Sequence, residues 1–205
     1  MKIIVAESAY RDNKNANSAL SITKSFPRIW LKADSALLTH GKPMFAPDFT
    51  QKLSASLYVA LRISRMGKSI PARFAHRYFD GVAVAVDFTA EDLLRQLRAQ
   101  GEPWDIAKSF DGSVCIGDFE EVSLMDSPFS VALSLHINGV EQSTITAADL
   151  KAFAAPIIEQ VSQCFTLRQG DILLLGQPTA RPLVHINCHI EGKLNGRVLT
   201  KFNVK

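Results

Sequence analysis

The sequence has little of what marks several classes of protein. Its 205 residues include three cysteines, and none forms a Cys-x-x-Cys pair, so we expect reduced thiols rather than a disulfide scaffold or a zinc ribbon. No apolar run approaches the ~20 residues that cross a bilayer. The net charge is only +3, with no cluster of basic residues. These absences exclude nucleic acid or a membrane as a partner held by bulk electrostatics.

Several motifs of catalysis are also absent. There is no Gly-x-Ser-x-Gly elbow, Walker loop, dinucleotide fingerprint or His-Glu-x-x-His helix. Residues 184–190 alternate as a strand does, which predicts His185, Asn187 and His189 on one face and Cys188 on the other, so these residues cannot converge on a metal. The apolar start of the chain meets Glu7 too early for a signal peptide. We therefore expect a soluble cytoplasmic protein.

The composition is that of a folded protein with many strands. Hydrophobic residues make up 47% of the chain and charged residues 21%, close to the globular average. Alternating apolar residues predict half-buried strands at 57–63 and 131–137, the second followed by an Asn138-Gly139 hairpin turn. Continuous apolar runs predict buried strands at 82–86 and 172–175.

Fewer segments have the pattern of a helix. Residues 89–92 resemble a capping box and predict a helix that begins there and ends at Gly101. Residues 146–149 repeat the pattern before a helix that Pro156 should kink, and 72–78 predict a third, shorter one. Many strands, few helices and no alternation of strand and helix indicate an α+β, β-rich fold.

Several segments carry a resemblance to a known family. In order they are Pro-Arg-Ile-Trp-Leu-Lys at 27–32, Arg-Ile-Ser-Arg-Met-Gly-Lys at 62–68, Asp-Phe-Thr-Ala-Glu-Asp at 87–92, Ala-Lys-Ser-Phe-Asp at 107–111 and Gly-Gln-Pro at 176–178. Together they resemble the fumarylacetoacetate hydrolase family, over nearly the whole chain. The resemblance implies one domain over 1–205, a β-roll or mixed β-sandwich with a few short peripheral helices, comprising an entry segment at 1–50 and a core at 51–205.

The resemblance also implies a function. Members of the family are usually dimers that hydrolyse, decarboxylate or isomerise short oxo- and dioxo-carboxylic acids. Most use Mg²⁺ or Mn²⁺, held by a Glu-x-Glu pair and an Asp, to stabilise an enolate. We therefore expect a homodimer whose ligand is a small carboxylate.

This chain departs from the family at the metal ligands. Ser54 and Ser56 stand at the Glu-x-Glu positions, and Asp87 is the one carboxylate left, enough for weak metal binding at most. Glu91 replaces an arginine, and Gln177 replaces the threonine of a Gly-Thr-Pro turn. Because Glu91 follows a helix cap, we expect its side chain to point away from the site.

The site residues are predicted from the same resemblance. Lys108 is retained, and with Asp87 it is the catalytic candidate. Lys108, Gln177, Ser54 and Ser56 are the candidates for substrate binding. We expect all five residues to line one concavity that prefers anions, with Asp87 as the counter-charge of Lys108.

Two functions follow from this site. The first is a pseudoenzyme or oxo-acid-binding protein that has lost its metal and needs no cofactor. The second is an active enzyme, either metal-free or with Mg²⁺ or Mn²⁺ in a rearranged site where Glu91 or a substrate carboxylate supplies the missing charge. A β-rich domain unrelated to the family is a remote third alternative.

Overall fold

Twelve strands, two α-helices and four short 3-10 helices make up the regular structure of the described part of the chain. The structure is a computed structural model that describes residues 1–7, 28–39, 41–124, 129–176, 178 and 180–205. The strands are β1 (Ile3–Glu7), β2 (Arg28–Lys32), β3 (Leu53–Ile63), β4 (Phe79–Ala90), β5 (Val114–Ile116), β6 (Glu120–Glu121), β7 (Val131–Ile137), β8 (Val140–Ala147), β9 (Ile172–Gly176), β10 (Leu183–Val184), β11 (His189–Leu194) and β12 (Arg197–Asn203). The helices are α1 (Glu91–Gln100) and α2 (Leu150–Cys164).

The strands form two sheets. The larger has eight strands in the order β2-β1-β9-β3-β4-β5, with β10 paired to β3 and β6 paired to β4. Strand β1 pairs parallel with β9, and the long strands β3 and β4 pair antiparallel at its centre. The smaller sheet has the order β12-β11-β7-β8. The Asn138-Gly139 turn joins β7 to β8 with positive φ at both residues, which confirms the predicted hairpin.

The main core lies between the two sheets. It contains Leu57 and Val84 of the large sheet, Leu133 and Ile190 of the small sheet, and one face of α2. Gly192 of β11 lies so close to Val84 that an added Cβ would come within 3.0 Å of both methyl carbons, so glycine is the residue that allows this approach of the sheets.

A second apolar cluster covers the other face of the large sheet. It includes Val5, Trp30, Tyr58 and Ala85. Strand β3 is therefore buried on both faces, and the prediction of a half-buried strand at 57–63 is wrong. Its alternation of large and small residues reflects two different packed layers rather than one layer and solvent.

Both predicted α-helices are present, and α1 ends at Gly101 as predicted, but the N-cap of each lies one to three residues later than the predicted cap. Thr89 belongs to β4, and α1 follows Ala90 without a side-chain cap. Residues 140–147 form β8, and Asp149 caps α2 by accepting a hydrogen bond from the Lys151 amide at 2.9 Å. Helix α2 runs through Pro156, and Ala72–Arg77 form a 3-10 helix. The two threonines predicted as caps, Thr89 and Thr146, lie within strands because sheet pairing overrides a local preference for a helix start.

The strand predicted at 184–190 is interrupted. Leu183 and Val184 pair with β3, a turn with Asn187 at φ 72° follows, and β11 begins at His189. His185 and Asn187 are exposed there, while Cys188 is buried. In the described residues, no helix is long and apolar enough to cross a membrane.

Cysteine reactivity provides a simple test of this packing. Cys115 is buried and Cys164 is exposed. Burial raises the pKa of Cys115 to about 11, although a contact of its Sγ with the Thr200 hydroxyl at 3.2 Å opposes the rise. We expect a thiol reagent at pH 8 to modify Cys164 alone in the folded protein and all three thiols after unfolding. Rapid modification of Cys115 before unfolding would contradict the structure.

Candidate functional site

The two serines and the aspartate predicted from the sequence lie together at the centre of the large sheet. Ser56 of β3 is directly opposite Asp87 of β4, and Ser54 is opposite Thr89. These four side chains share one face of the sheet because alternate residues of a strand point the same way. All four residues have 0% exposure, so they form a closed cluster rather than an open concavity.

The closest charge to Asp87 comes from a residue that the sequence analysis did not single out. Lys32 of β2 places its Nζ 2.7 Å from Asp87 Oδ1, with both side chains fully buried. The same ammonium donates to the Ser113 hydroxyl at 2.8 Å and to the carbonyl of Lys108. Burial lowers the pKa of Lys32 below its ordinary value, and Asp87 opposes that shift. Lys32 and Asp87 thus form a buried ion pair.

Lys108 lies near the other oxygen of the same carboxylate. Its Nζ lies 3.9 Å from Asp87 Oδ2, donates to Thr89 Oγ1 at 3.1 Å and sits 4.3 Å from the centre of the Trp30 ring. Burial lowers its pKa, while Asp87 raises it. The expected proximity of Lys108 and Asp87 is therefore present in the structure. The contact of Lys108 with Asp87 is longer than the 2.7 Å contact of Lys32 with the same carboxylate.

Glu91 differs from expectation. Its side chain turns toward the cluster, where Oε1 accepts a hydrogen bond from Ser54 Oγ at 2.6 Å. The prediction that Glu91 points away is wrong, because α1 begins one residue after β4 and its first side chain still lies beside β3. Ser56 is different again: its buried hydroxyl has no hydrogen-bond partner among the described residues.

A second cluster of polar side chains, around Glu7, lies next to the cluster around Asp87. Tyr58, on the same face of β3 as Ser56, donates a hydrogen bond to Glu7 Oε1 at 2.6 Å. Arg181 contacts the same oxygen at 2.6 Å, and Arg28 contacts Oε2 at 3.0 Å. Burial, followed by the charges of Asp87 and Glu7, raises the pKa of Tyr58, so the phenol stays protonated.

The sequence held partial signals for these residues. Lys32 lies within a strand segment and Glu7 ends an apolar run, and a charge in such a place usually has a buried partner. Nothing local identified those partners, since Glu7 and Arg181 are 174 residues apart. Gln177, a candidate for substrate binding from the sequence, lies outside the described residues.

The residues present do not fit a divalent metal of the family's kind. Mg²⁺ and Mn²⁺ need carboxylate oxygens, and hydroxyl groups such as those of Ser54 and Ser56 are weak ligands. Asp87, the one carboxylate retained at the ligand positions that the resemblance implies, has an ammonium group 2.7 Å from one oxygen and another 3.9 Å from the second. Within the described ranges, no three His, Cys, Asp or Glu residues are grouped closely enough to hold a metal ion.

Comparison with known proteins identifies the family of this chain. The family model described as fumarylacetoacetate (FAA) hydrolase C-terminal matches residues 2–199. The chain therefore belongs to the fumarylacetoacetate hydrolase family, as the sequence motifs indicated.

Its curated relatives include mitochondrial oxaloacetate tautomerases. The protein from Caenorhabditis elegans is 33% identical, over 100% of this chain and 94% of the relative. The one from Homo sapiens is 32% identical, over 90% of this chain and 84% of the relative.

Solved structures share the fold over the whole chain. A fumarylacetoacetate hydrolase family protein from Yersinia pestis matches with a TM-score of 0.83 and 27% identity, covering 100% of this chain and 92% of that one. Fumarylpyruvate hydrolase from Pseudomonas aeruginosa, solved in complex with Mn²⁺ and pyruvate, matches with a TM-score of 0.84 and 23% identity, covering 100% and 89%. The predicted β-rich fold of this family is confirmed.

Proposed function

We propose that this protein binds a short oxo-carboxylic acid as an anion at Lys108, without a divalent metal and without the metal-dependent catalysis of its family. The observation that carries the proposal is the ion pair of Lys32 with Asp87, at 2.7 Å in a fully buried site. It neutralises the carboxylate that the family resemblance assigns to the metal. The oxo-acid class is supported by the tautomerase relatives, which are named for oxaloacetate.

Two groups in the cluster are suited to the ligand. The Lys108 ammonium has three donor hydrogens, and within the described residues its one close hydrogen-bond acceptor is Thr89 Oγ1. The Ser56 hydroxyl is buried without a partner, which is costly unless a ligand or a water bonds to it. A carboxylate between them would satisfy both groups, and its charge would be balanced by Lys108 because Lys32 already balances Asp87.

The alternative is an active enzyme. It is favoured by Glu91, whose carboxylate at 2.6 Å from Ser54 returns one negative charge to the neighbourhood of the missing ligand pair. Against it, Glu91 and Asp87 are not grouped with a third His, Cys, Asp or Glu in the part of the chain that the structure describes. Turnover of an oxo-acid that depends on added Mn²⁺ would support this alternative over the first proposal.

Calorimetric titration tests the proposed function. We expect pyruvate to bind in the presence of a chelator, and Mg²⁺ or Mn²⁺ alone to bind no tighter than about millimolar. Lys108→Met should weaken pyruvate binding by about tenfold or more. It should leave the protein folded, because Asp87 retains Lys32. Lys151→Met on α2 is the matched control and should bind as the unmodified protein does. Pyruvate binding that requires metal, or that survives Lys108→Met, would refute the proposal.

The assembly is a separate prediction that rests on the family. Members of the family are usually dimers, and we expect this chain to form a two-fold homodimer. Light scattering of the purified protein at micromolar concentration should give twice the mass of one chain. A monomer mass under those conditions would contradict the prediction without affecting the metal titration.

A further inference from the structure

Glu7 is held like a bound ligand. It ends β1, is 3% exposed, and its carboxylate accepts contacts from three side chains in other parts of the chain. The Tyr58 hydroxyl and an Arg181 nitrogen lie 2.6 Å from Oε1, and an Arg28 nitrogen lies 3.0 Å from Oε2. Two guanidinium groups and a phenol that converge on both oxygens are an arrangement that recognises a carboxylate.

This group of donors adjoins the Lys108 cluster. Tyr58 is two residues from Ser56 on the same face of β3. Arg181 directly precedes Pro182, whose carbonyl accepts a hydrogen bond from the Ala55 amide at 3.0 Å. The charges act on one another as well, since Glu7 raises and Arg181 lowers the pKa of Lys108, after the larger effects of burial and Asp87. A ligand held by Lys108 would therefore lie within electrostatic reach of Glu7.

We propose that Arg28, Arg181 and Tyr58 form a second carboxylate subsite, which Glu7 fills from within the chain, so that the Lys108 site accepts an oxo-acid with one carboxylate and rejects one with two. The ligand class rests on the proposed function above, whereas the subsite rests on the contacts of Glu7. Near Lys108, a second ligand carboxylate would face the charge of Glu7 and find both guanidinium groups already paired. That juxtaposition disfavours an oxo-diacid through the repulsion between its second carboxylate and Glu7.

A pair of four-carbon ligands tests the selectivity. Both 2-oxobutyrate and oxaloacetate are 2-oxo-acids with four carbons. The fourth carbon is a methyl group in 2-oxobutyrate and a second carboxylate in oxaloacetate. In calorimetry we expect the unmodified protein to prefer 2-oxobutyrate by about tenfold or more. Glu7→Ala, which vacates the subsite, should reverse that preference. Glu7→Gln keeps the shape of the side chain without its charge and should reduce the preference for 2-oxobutyrate. This variant also serves as the test if Glu7→Ala folds poorly. The same ratio of affinities for 2-oxobutyrate and oxaloacetate in all three proteins would overturn the proposed selectivity.

Chemical rescue tests the subsite without any oxo-acid. Glu7→Ala should unfold at a lower temperature, and acetate should restore part of the loss when compared with chloride at equal ionic strength. Asp80→Ala is the matched control, since it removes a carboxylate 2.7 Å from Arg62 outside the site, and acetate should not rescue it. The double variant Glu7→Ala/Arg181→Met should lose the rescue. Rescue without oxo-acid binding would support the subsite and refute the proposed function, and no specific rescue would overturn the subsite.

Discussion

Replacing Lys32 with methionine should lower the free energy of unfolding by about 3–5 kcal/mol, because Asp87 would remain buried without its close counter-charge. The Lys108 ammonium, at 3.9 Å, is too distant to replace a contact of 2.7 Å in full. The substitution also removes the donor to Ser113 and to the Lys108 carbonyl. Urea unfolding monitored by tryptophan fluorescence measures the change.

Two further variants make that result specific. Lys32→Met/Asp87→Asn should be more stable than Lys32→Met alone, since the uncompensated charge is gone. Lys2→Met breaks a contact of 2.6 Å with Asp171, but the Lys2 side chain is 32% exposed, and Asp171 also accepts hydrogen bonds from two backbone amides. This substitution should therefore lower the free energy of unfolding by less than Lys32→Met does. A loss below about 1 kcal/mol for Lys32→Met, the range of exposed ion pairs, would contradict the buried pair.

Restoring the acidic ligand pair should have an effect of similar size. Ser54→Glu/Ser56→Glu places two carboxylates in positions with 0% exposure, and we expect it to destabilise the protein by at least about 3 kcal/mol. Added Mn²⁺ should raise the midpoint of thermal unfolding of this variant, because the metal neutralises the new charges, and should leave the unmodified protein unchanged. Including Lys32→Met should strengthen the response by freeing Asp87.

The control variant has glutamine at both positions, because glutamine has nearly the shape of glutamate without its charge. Ser54→Gln/Ser56→Gln should also lose stability, since larger side chains enter a packed site, but Mn²⁺ should not raise its midpoint. If Mn²⁺ stabilises the unmodified protein as strongly as the Glu variant, Asp87 binds metal despite Lys32, and the proposed function fails.

The fold was largely predictable because its signals are local or belong to the family. The Asn138-Gly139 turn and the strand at 131–137 follow from residues adjacent in sequence. The helix starts were harder to predict, since Thr89 and Thr146 have the side chains of caps but pair within sheets. Burial of both faces of β3 depends on a second packed layer, which no pattern within β3 reports.

The site was predictable only in part, for a related reason. The motifs identified Ser54, Ser56, Asp87 and Lys108, and the structure brings these four residues together. Lys32 and the Glu7 group act through partners far away in sequence, such as Ser113 and Arg181. A single sequence shows that a charge is unusual at such a position, but the identity of its partner requires the register of the sheet.

The place of β1 in the large sheet affects the synthesis of the protein. This strand is translated before β9, one of its two neighbours in the sheet, and the Lys2 amide bonds to Asp171 across 169 residues. At ribosomal speed that partner follows on the order of ten to thirty seconds later. Until then the apolar segment Ile3–Val5 lacks its pairing with β9, so we expect the large sheet to be completed late in translation.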